Sequence, residues 1–158
     1  GQGTVSLEVL ADAPETDVLL VSIGGGGLIA GTAMAAKALK PEITVIGVEP
    51  VGAPTLRNSV AAGEVVELES IDTLANTLAP RKSEAINLSL IQDNVDDIVL
   101  VTDDQMRDAA RWLWWEFGLG VKLSAAAAVA ALQAGAYVPA KGAICTALVC
   151  GAGSDGMS

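Results

Sequence analysis

Four runs of consecutive apolar residues, rich in β-branched side chains, predict buried strands. They cover residues 18–23, 44–48, 97–102 and 143–150. A strand with one face in water alternates apolar and polar positions, whereas these runs are apolar at neighbouring positions, as expected when both faces of a sheet are covered. The pattern therefore predicts a sheet that lies inside the molecule.

The segments around these strands have helical spacing. Residues 27–39 are almost entirely small or apolar and end before Pro41, which predicts a buried helix. Residues 103–117 follow Thr102 and carry acidic residues in the first turn, which is a favourable helix start. Further helices are predicted over residues 4–11, 53–62, 84–92 and 124–133.

The alternation of strands and helices predicts an α/β fold, a mostly parallel sheet with helices on both faces. A chain of 158 residues is long enough to bury a sizeable core. We therefore expect residues 1–158 to form a single domain. Only the stretch 63–94 is difficult to assign, apart from its helix.

The charge balance excludes several classes of function. Nine Lys and Arg against nineteen Asp and Glu leave a net charge of −10 without a basic cluster, which excludes nucleic acid as a partner. The chain contains no His, so a Ser–His–Asp triad and a zinc site are excluded within it. No apolar run approaches the ~20 residues that span a bilayer, and we expect no membrane partner.

The two cysteines indicate the cellular compartment. Cys145 and Cys150 are five positions apart in a predicted strand, which places them roughly 16 Å apart and on opposite faces. A disulfide cannot span that distance, so both are expected to be free thiols in a reducing compartment, the cytoplasm. The N-terminus has no basic stretch followed by an apolar one, so no signal peptide is predicted.

Four consecutive glycines, Gly24, Gly25, Gly26 and Gly27, follow the first strand and open a helix. Glycine loses the most backbone entropy on folding, so four in a row indicate a steric requirement. No side chain stands between their N–H groups and a ligand, and the helix N-terminus adds partial positive charge. The loop therefore predicts a phosphate site; the alternative is a tight turn packed against a neighbouring element.

The same residues permit a second interpretation. Gly25-x-Gly27-x-x-Ala30 fits the dinucleotide fingerprint, and Glu49 ends the next strand where a ribose-binding acid would stand. A nicotinamide-cofactor-binding domain is thus an alternative. Against it, a helix precedes the first strand and Pro50 follows Glu49 directly.

Taken together, several motifs resemble a known family. The sequence is similar to the pyridoxal-phosphate-dependent enzymes of the tryptophan-synthase-β fold type, and most similar to threonine/serine dehydratases and serine racemase. The resemblance implies a C-terminal fragment of the large domain of a dehydratase, since the chain begins on a helix and ends soon after a strand. The motifs are GQGT (1–4), GGGGLIAG (24–31), VIGVEP (45–50), VDDIVLVTDDQM (95–106), SAAAAVAAL (124–132) and VCGAG (149–153).

The resemblance also implies roles for particular residues. The N–H groups of Gly24–Gly27 would hold the phosphate of pyridoxal 5′-phosphate, and Cys150 would face the pyridine nitrogen. A neutral group there leaves the nitrogen largely unprotonated and suits β-elimination of water from a small amino acid such as Ser or Thr. The alternative for Cys150 is a small buried hydrophobe, which most free cysteines are.

The chain also departs from the family pattern. The Schiff-base lysine of the family lies in a Ser-Phe-Lys-type segment, and no lysine here has that context, so the chain alone is expected to be inactive. Lys122 stands where the family often has Glu. A divalent-cation site of some members would fall on Glu49 and Ala53, with Thr55 in place of its second acid.

Two further expectations concern association and the alternatives to catalysis. Trp112, Trp114 and Trp115 lie on one predicted helix around more than one face; core packing is one interpretation, and an interface is the other. With 51% hydrophobic residues, we expect a homo-oligomer. A non-catalytic anion-binding or interaction domain is the functional alternative.

Overall fold

Four parallel strands form one sheet in the computed structural model, which describes residues 1–157. The order across the sheet is β3-β2-β1-β4. The strands are β1 (Val18–Ser22), β2 (Thr44–Pro50), β3 (Asp97–Val101) and β4 (Cys145–Ala147). The predicted α/β fold with a parallel sheet is confirmed.

Helices cover both faces of this sheet. One hydrophobic cluster joins strand side chains to the last two helices, and a second joins the opposite strand faces to three earlier helices. The helices are α1 (Thr4–Asp12), α2 (Gly27–Leu39), α3 (Thr55–Ala62), α4 (Ala85–Asn94), α5 (Asp103–Phe117) and α6 (Leu123–Gln133). Apolar side chains pack against both faces of the sheet, which explains the apolar runs in the strands.

The α5 helix begins as its sequence predicts. Thr102 accepts a hydrogen bond at Oγ1 from the Gln105 N–H (3.2 Å), and Gln105 Oε1 accepts one from the Thr102 N–H (2.9 Å). This reciprocal pair is a capping box, which satisfies two N–H groups at the helix start. Helices α2 and α5 have the predicted bounds.

Strands β1 and β3 end one residue earlier than predicted, and β4 and α3 are shorter than predicted by two residues or more. The last strand pairs with β1 only over Cys145–Ala147, so Cys150 lies beyond the strand. Helix α3 begins at Thr55 because Pro54 and a turn, in which the Ala53 N–H donates to the Pro50 carbonyl (3.0 Å), occupy the first predicted positions. The difficult stretch after α3 is mostly irregular and contains a 3₁₀ turn at Asn76–Leu78.

The strand order identifies the part of the sheet where a ligand would bind. Strand β1 leads through α2 to β2 on one side, whereas β4 lies on its other side. In open parallel sheets, the crevice at the carboxyl ends of two such strands is the usual ligand position. The glycine loop follows β1, and Cys150 follows β4, so both lie at this crevice.

Candidate functional site

One position in the loop between β1 and α2, Gly26, has a backbone conformation that only glycine adopts easily. Gly26 has φ +93°, and a Cβ placed there would lie 2.6 Å from Leu56 Cδ1. A Cβ at Gly24 would collide with the Thr77 carbonyl. By contrast, a Cβ at Gly25 or Gly27 would have no neighbour within 4 Å. Two glycines are therefore required by packing, and two leave open space.

Two side chains from the α4 region hold the loop in place. Ser83 Oγ donates to the Gly25 carbonyl (2.7 Å), and Asn87 Nδ2 donates to the same oxygen (2.9 Å). In a trans peptide, the C=O and the next N–H point in opposite directions, so this anchor turns the Gly26 N–H away from α4. No local sequence pattern marks Ser83 or Asn87 as loop contacts, because they lie 58 and 62 residues from Gly25.

A cavity of about 410 Å³ opens beside the loop. All four glycines line it, together with the first residues of α2, whose N-terminus has no side-chain cap among the described residues. The uncapped N–H groups and the helix dipole make this end of the cavity favourable for an anion. The remaining lining residues are Ser22, Ile23, Leu28, Ile29, Thr77, Leu78, Lys122, Ser124, Cys150, Gly151 and Ala152.

Cys150 lines the same cavity as the glycine loop. Both cysteines are free thiols. Cys150 is exposed, so it is not the small buried hydrophobe of the alternative interpretation. Desolvation by the protein around the thiol raises the pKa of Cys150, and a backbone hydrogen bond at the residue itself lowers the pKa by a smaller amount. The thiol is therefore a neutral group at pH 7. The structure thus brings together the five residues that the sequence analysis assigned to the cofactor.

The cavity also contains polar groups that the sequence analysis did not assign to a ligand. Ser22 is 3% exposed, and its Oγ has no hydrogen-bond partner among the described residues. Lys122 and Ser124 lie at the start of α6 and also line the cavity. An orphaned buried hydroxyl, open glycine positions and an uncapped helix N-terminus together fit a phosphate-bearing cofactor.

The acid at the end of β2 is buried rather than solvated. Glu49 is 0% exposed. Its Oε1 accepts from the Leu56 N–H (2.8 Å) and its Oε2 from the Arg57 N–H (2.9 Å). Burial raises the pKa of Glu49 to about 7, although these two N–H donors and the Arg57 charge lower it. The carboxyl group therefore caps the N-terminus of α3.

The cation site predicted at Glu49 and Ala53 stays a prediction. Both oxygens of Glu49 already accept hydrogen bonds, and Thr55 Oγ1 donates to the Pro80 carbonyl (2.7 Å). Ala53 is buried. Within residues 1–157, no group of three or more His, Cys, Asp or Glu side chains is placed to hold a metal ion.

A parallel α/β sheet with a glycine loop, a helix N-terminus and a neutral thiol around one cavity defines a class of cofactor-binding proteins that hold a phosphate group. Comparison with known families gives the particular class. The family model described as pyridoxal-phosphate dependent enzyme matches residues 1–151, and the chain belongs to this family. The cofactor of the family is pyridoxal phosphate, so the nicotinamide interpretation is wrong.

Curated and solved relatives agree with this membership. The chain is 41% identical over 131 residues to a serine racemase of Oryza sativa subsp. indica, covering 83% of this chain and 38% of that protein. It is 37% identical over 155 residues to a phenylserine dehydratase of Ralstonia pickettii, covering 98% and 48%. The crystal structure of a threonine deaminase from T.th. superposes with a TM-score of 0.90 at 34% identity, covering 98% and 58%.

The chain spans 38–48% of the length of these two curated relatives, so activities of the whole relatives do not transfer directly to it. In the part of the chain that the structure describes, no helix has the length and apolar character needed to cross a membrane.

Proposed function

We propose that this chain supplies the cofactor-phosphate site of a pyridoxal-phosphate-dependent ammonia-lyase that acts on a small β-hydroxy amino acid such as Thr or Ser. The observation that carries the proposal is the anchored tetraglycine loop, which faces a cavity shared with Cys150. Relatives named phenylserine dehydratase, L-threonine ammonia-lyase and serine racemase support the substrate class.

The chain's own groups would bind and orient the phosphate. The N–H groups of Gly24–Gly27 and the N-terminus of α2 provide hydrogen bonds and partial positive charge without a side chain in between. Ser83 and Asn87 keep the loop in the orientation that presents these N–H groups. Preorganisation of this kind lowers the entropy lost on binding.

Cys150 would hold the other end of the cofactor. Pyridoxal phosphate, when bound, withdraws electrons from the α-carbon of an amino acid and so permits elimination at the β-carbon. A neutral thiol beside the pyridine nitrogen leaves that nitrogen largely unprotonated, because it provides no negative charge to stabilise a pyridinium. The raised pKa of Cys150 keeps the thiol neutral at pH 7.

The chain alone is proposed to be inactive. Of its lysines, Lys37 pairs with Asp96 (2.8 Å) and Lys40 donates to the Thr16 carbonyl (2.7 Å). Lys122 lines the cavity, but its sequence context differs from that of the family's Schiff-base lysine. We therefore expect no keto acid from L-threonine or L-serine with added cofactor.

Titration calorimetry with pyridoxine 5′-phosphate tests the proposed site. This probe has the ring and the phosphate of the cofactor but no aldehyde, so it forms no covalent bond to lysine. We expect it to bind more tightly than inorganic phosphate, since the ring gains contacts in the Cys150 part of the cavity. Gly25→Asp should abolish the binding of both probes at the loop, because its carboxylate occupies the phosphate position, while the open space at Gly25 lets the variant fold.

The same titration separates the proposal from its alternative. Equal affinity for inorganic phosphate and pyridoxine 5′-phosphate favours a non-catalytic anion-binding domain, which is the second candidate because the chain spans less than half of its two curated relatives. Full affinity in Gly25→Asp, with the circular dichroism spectrum unchanged, contradicts both candidates.

Three smaller proposals accompany this function. The free thiols Cys145 and Cys150 support a location in the cytoplasm. A divalent-cation site near Glu49 and Ala53 is also proposed. It requires the Glu49 carboxyl to give up its hydrogen bonds from the α3 backbone N–H groups. Self-association is proposed from the apolar surface of α5, which exposes 78% of Trp115.

A further inference from the structure

Lys122 is held beside the cavity by the backbone of a glycine-containing segment. The Lys122 N–H donates to the Gly151 carbonyl (3.1 Å), and the adjacent Val121 pairs with Ala152 as an antiparallel bridge. A Cβ at Gly153 would lie 2.7 Å from Lys122 Cγ and 3.4 Å from Lys122 Cε. The aliphatic part of Lys122 therefore lies along residues 151–153, in space that a larger residue at position 153 would occupy.

The α6 helix begins at the same place. Lys122 is its N-cap residue, and its side chain has no acceptor atom, so no side chain caps the helix within residues 1–157. The first turn of α6 thus adds partial positive charge to the ammonium of Lys122. Ser124, in this first turn, lines the cavity with Lys122.

The buried hydroxyl of Ser22 lies on the wall of this cavity. Side chains two residues apart in a strand share a face, and Leu20 packs in the hydrophobic cluster that contains the α6 alanines. Ser22 therefore faces the α6 side of the sheet, at the carboxyl end of β1. Its Oγ has no partner among the described residues, and a buried polar group without a partner indicates a ligand or a water in its place.

Charge distinguishes this part of the cavity from the rest of the molecule. The chain has a net charge of −10, but among the described residues that line the cavity, Lys122 carries the one charged side chain. A cation beside an uncapped helix N-terminus attracts an anion, whereas an acid would repel one.

We propose that Lys122, Ser22 and the first turn of α6 form a second oxyanion subsite, separate from the tetraglycine loop. Its ligand is a single oxyanion, either the ring oxygen of the cofactor or a carboxylate of the substrate. The assignment of these two sources rests on the proposed function, whereas the subsite itself rests on the residues named. Ser22 donates its hydroxyl hydrogen, and the Lys122 ammonium supplies the charge.

Inorganic phosphate is the probe that separates the two subsites. Its binding is monitored by NMR of the backbone amides. In the wild-type chain, we expect shifts both in the tetraglycine loop and at Leu123 and Ser124. Gly25→Asp should retain only the α6 shifts, and Lys122→Gln should retain only the loop shifts. Lys122→Gln should weaken the α6 response by about tenfold and Ser22→Ala by about fivefold, the losses expected for one charged and one neutral hydrogen bond.

Lys141→Gln is the matched control, because Lys141 is an exposed lysine in a different surface depression. It should leave both sets of shifts unchanged. If either cavity variant removes both sets together, phosphate occupies one site and the proposal is wrong. The proposal is also wrong if phosphate shifts none of the α6 amides in the wild-type chain. Loop amides that stay still while the α6 amides move contradict the proposed function and leave this subsite standing.

Two further probes identify the source of the oxyanion. If the ring oxygen of the cofactor fills the subsite, Lys122→Gln weakens pyridoxine 5′-phosphate but not its 3-O-methyl ether. If a substrate carboxylate fills it, malonate moves the α6 amides of a chain that already holds pyridoxine 5′-phosphate. Either result supports the subsite. An absence of both results, with no effect of Lys122→Gln on any probe, contradicts it.

Discussion

At the scale of single residues, the four glycines of the loop have two different reasons to be glycine. Gly26 has φ +93°, and a Cβ at this position would collide with the Leu56 side chain. A Cβ at Gly25 would have no neighbour within 4 Å. Sequence alone shows four identical letters and cannot separate these reasons, because the separation depends on Leu56, which lies thirty residues later.

This difference predicts different costs for the same substitution. Gly26→Ala places a side chain in left-handed backbone and against Leu56, and we expect the free energy of unfolding to fall by about 2 kcal/mol or more. Gly25→Ala, the matched control, should change it by less than about 0.5 kcal/mol. Urea denaturation measures both, and equal losses would contradict the account of the loop.

Glu49 makes stability depend on pH. Its pKa rises from 4.5 to about 7 in the folded chain, so the folded state binds a proton more tightly than the unfolded state does. The contribution of Glu49 is present below pH 4.5 and is lost as the pH rises through 7. At roughly 1.4 kcal/mol per pH unit, the change is about 3 kcal/mol.

The variant Glu49→Gln isolates this contribution. We expect the stability of the wild type relative to Glu49→Gln to fall as the pH rises from 4.5 to about 7. Chemical denaturation at a series of pH values measures the difference. A constant difference across that range would show that Glu49 keeps an ordinary pKa, and one that grows with pH would show that folding lowers the pKa of Glu49.

At the scale of elements, α4 positions the loop without contributing to the sheet. Asn87 donates to the Gly25 carbonyl (2.9 Å). Asn87→Ala should leave the helix intact but loosen the loop, and we expect phosphate affinity to fall by about fivefold, the effect of one hydrogen bond. Asn94→Ala is the control, because Asn94 Nδ2 donates within α4 to the Leu90 carbonyl. Titration calorimetry that finds equal affinities for both variants would refute this role.

Element bounds were predicted well where a local signal marks them. The bounds of α2 and α5 follow from Pro41 and from the Thr102 capping box. The length of β4 was not predictable, because an apolar run cannot show where pairing with β1 ends. The anchors Ser83 and Asn87, like the burial of Glu49, depend on contacts between distant segments, and no local pattern marks them.

At the scale of the whole molecule, α5 exposes four aromatic side chains, those of Trp112, Trp114, Trp115 and Phe117. Core packing was one of the two interpretations of the α5 tryptophans, and their exposure does not support it. Met106 is buried, whereas Trp114 is 44% and Phe117 60% exposed. The Trp112 and Phe117 rings contact edge to face, with centroids 5.2 Å apart. Apolar clusters of this kind on a surface indicate an interface.

We therefore expect two or more copies of the chain to associate through α5. Burial of several hundred Å² at roughly 25 cal/mol per Å² outweighs the screened repulsion of acidic chains. Sedimentation should show a dimer or higher oligomer, and Trp115→Ser should weaken it. Ile86→Ser, at an exposed isoleucine on α4, is the control. A monomer of 15.9 kDa at high micromolar concentration would contradict the expectation.

The central claim is that the tetraglycine loop binds the phosphate of pyridoxal phosphate through its backbone N–H groups. An NMR titration of the ¹⁵N-labelled chain with pyridoxine 5′-phosphate observes those groups directly. The account predicts that the amides of Gly24, Gly25, Gly26 and Gly27 shift together and saturate at one ligand per chain, and that Gly25→Asp removes the shifts. If none of the four amides moves while the probe binds elsewhere, the account is wrong.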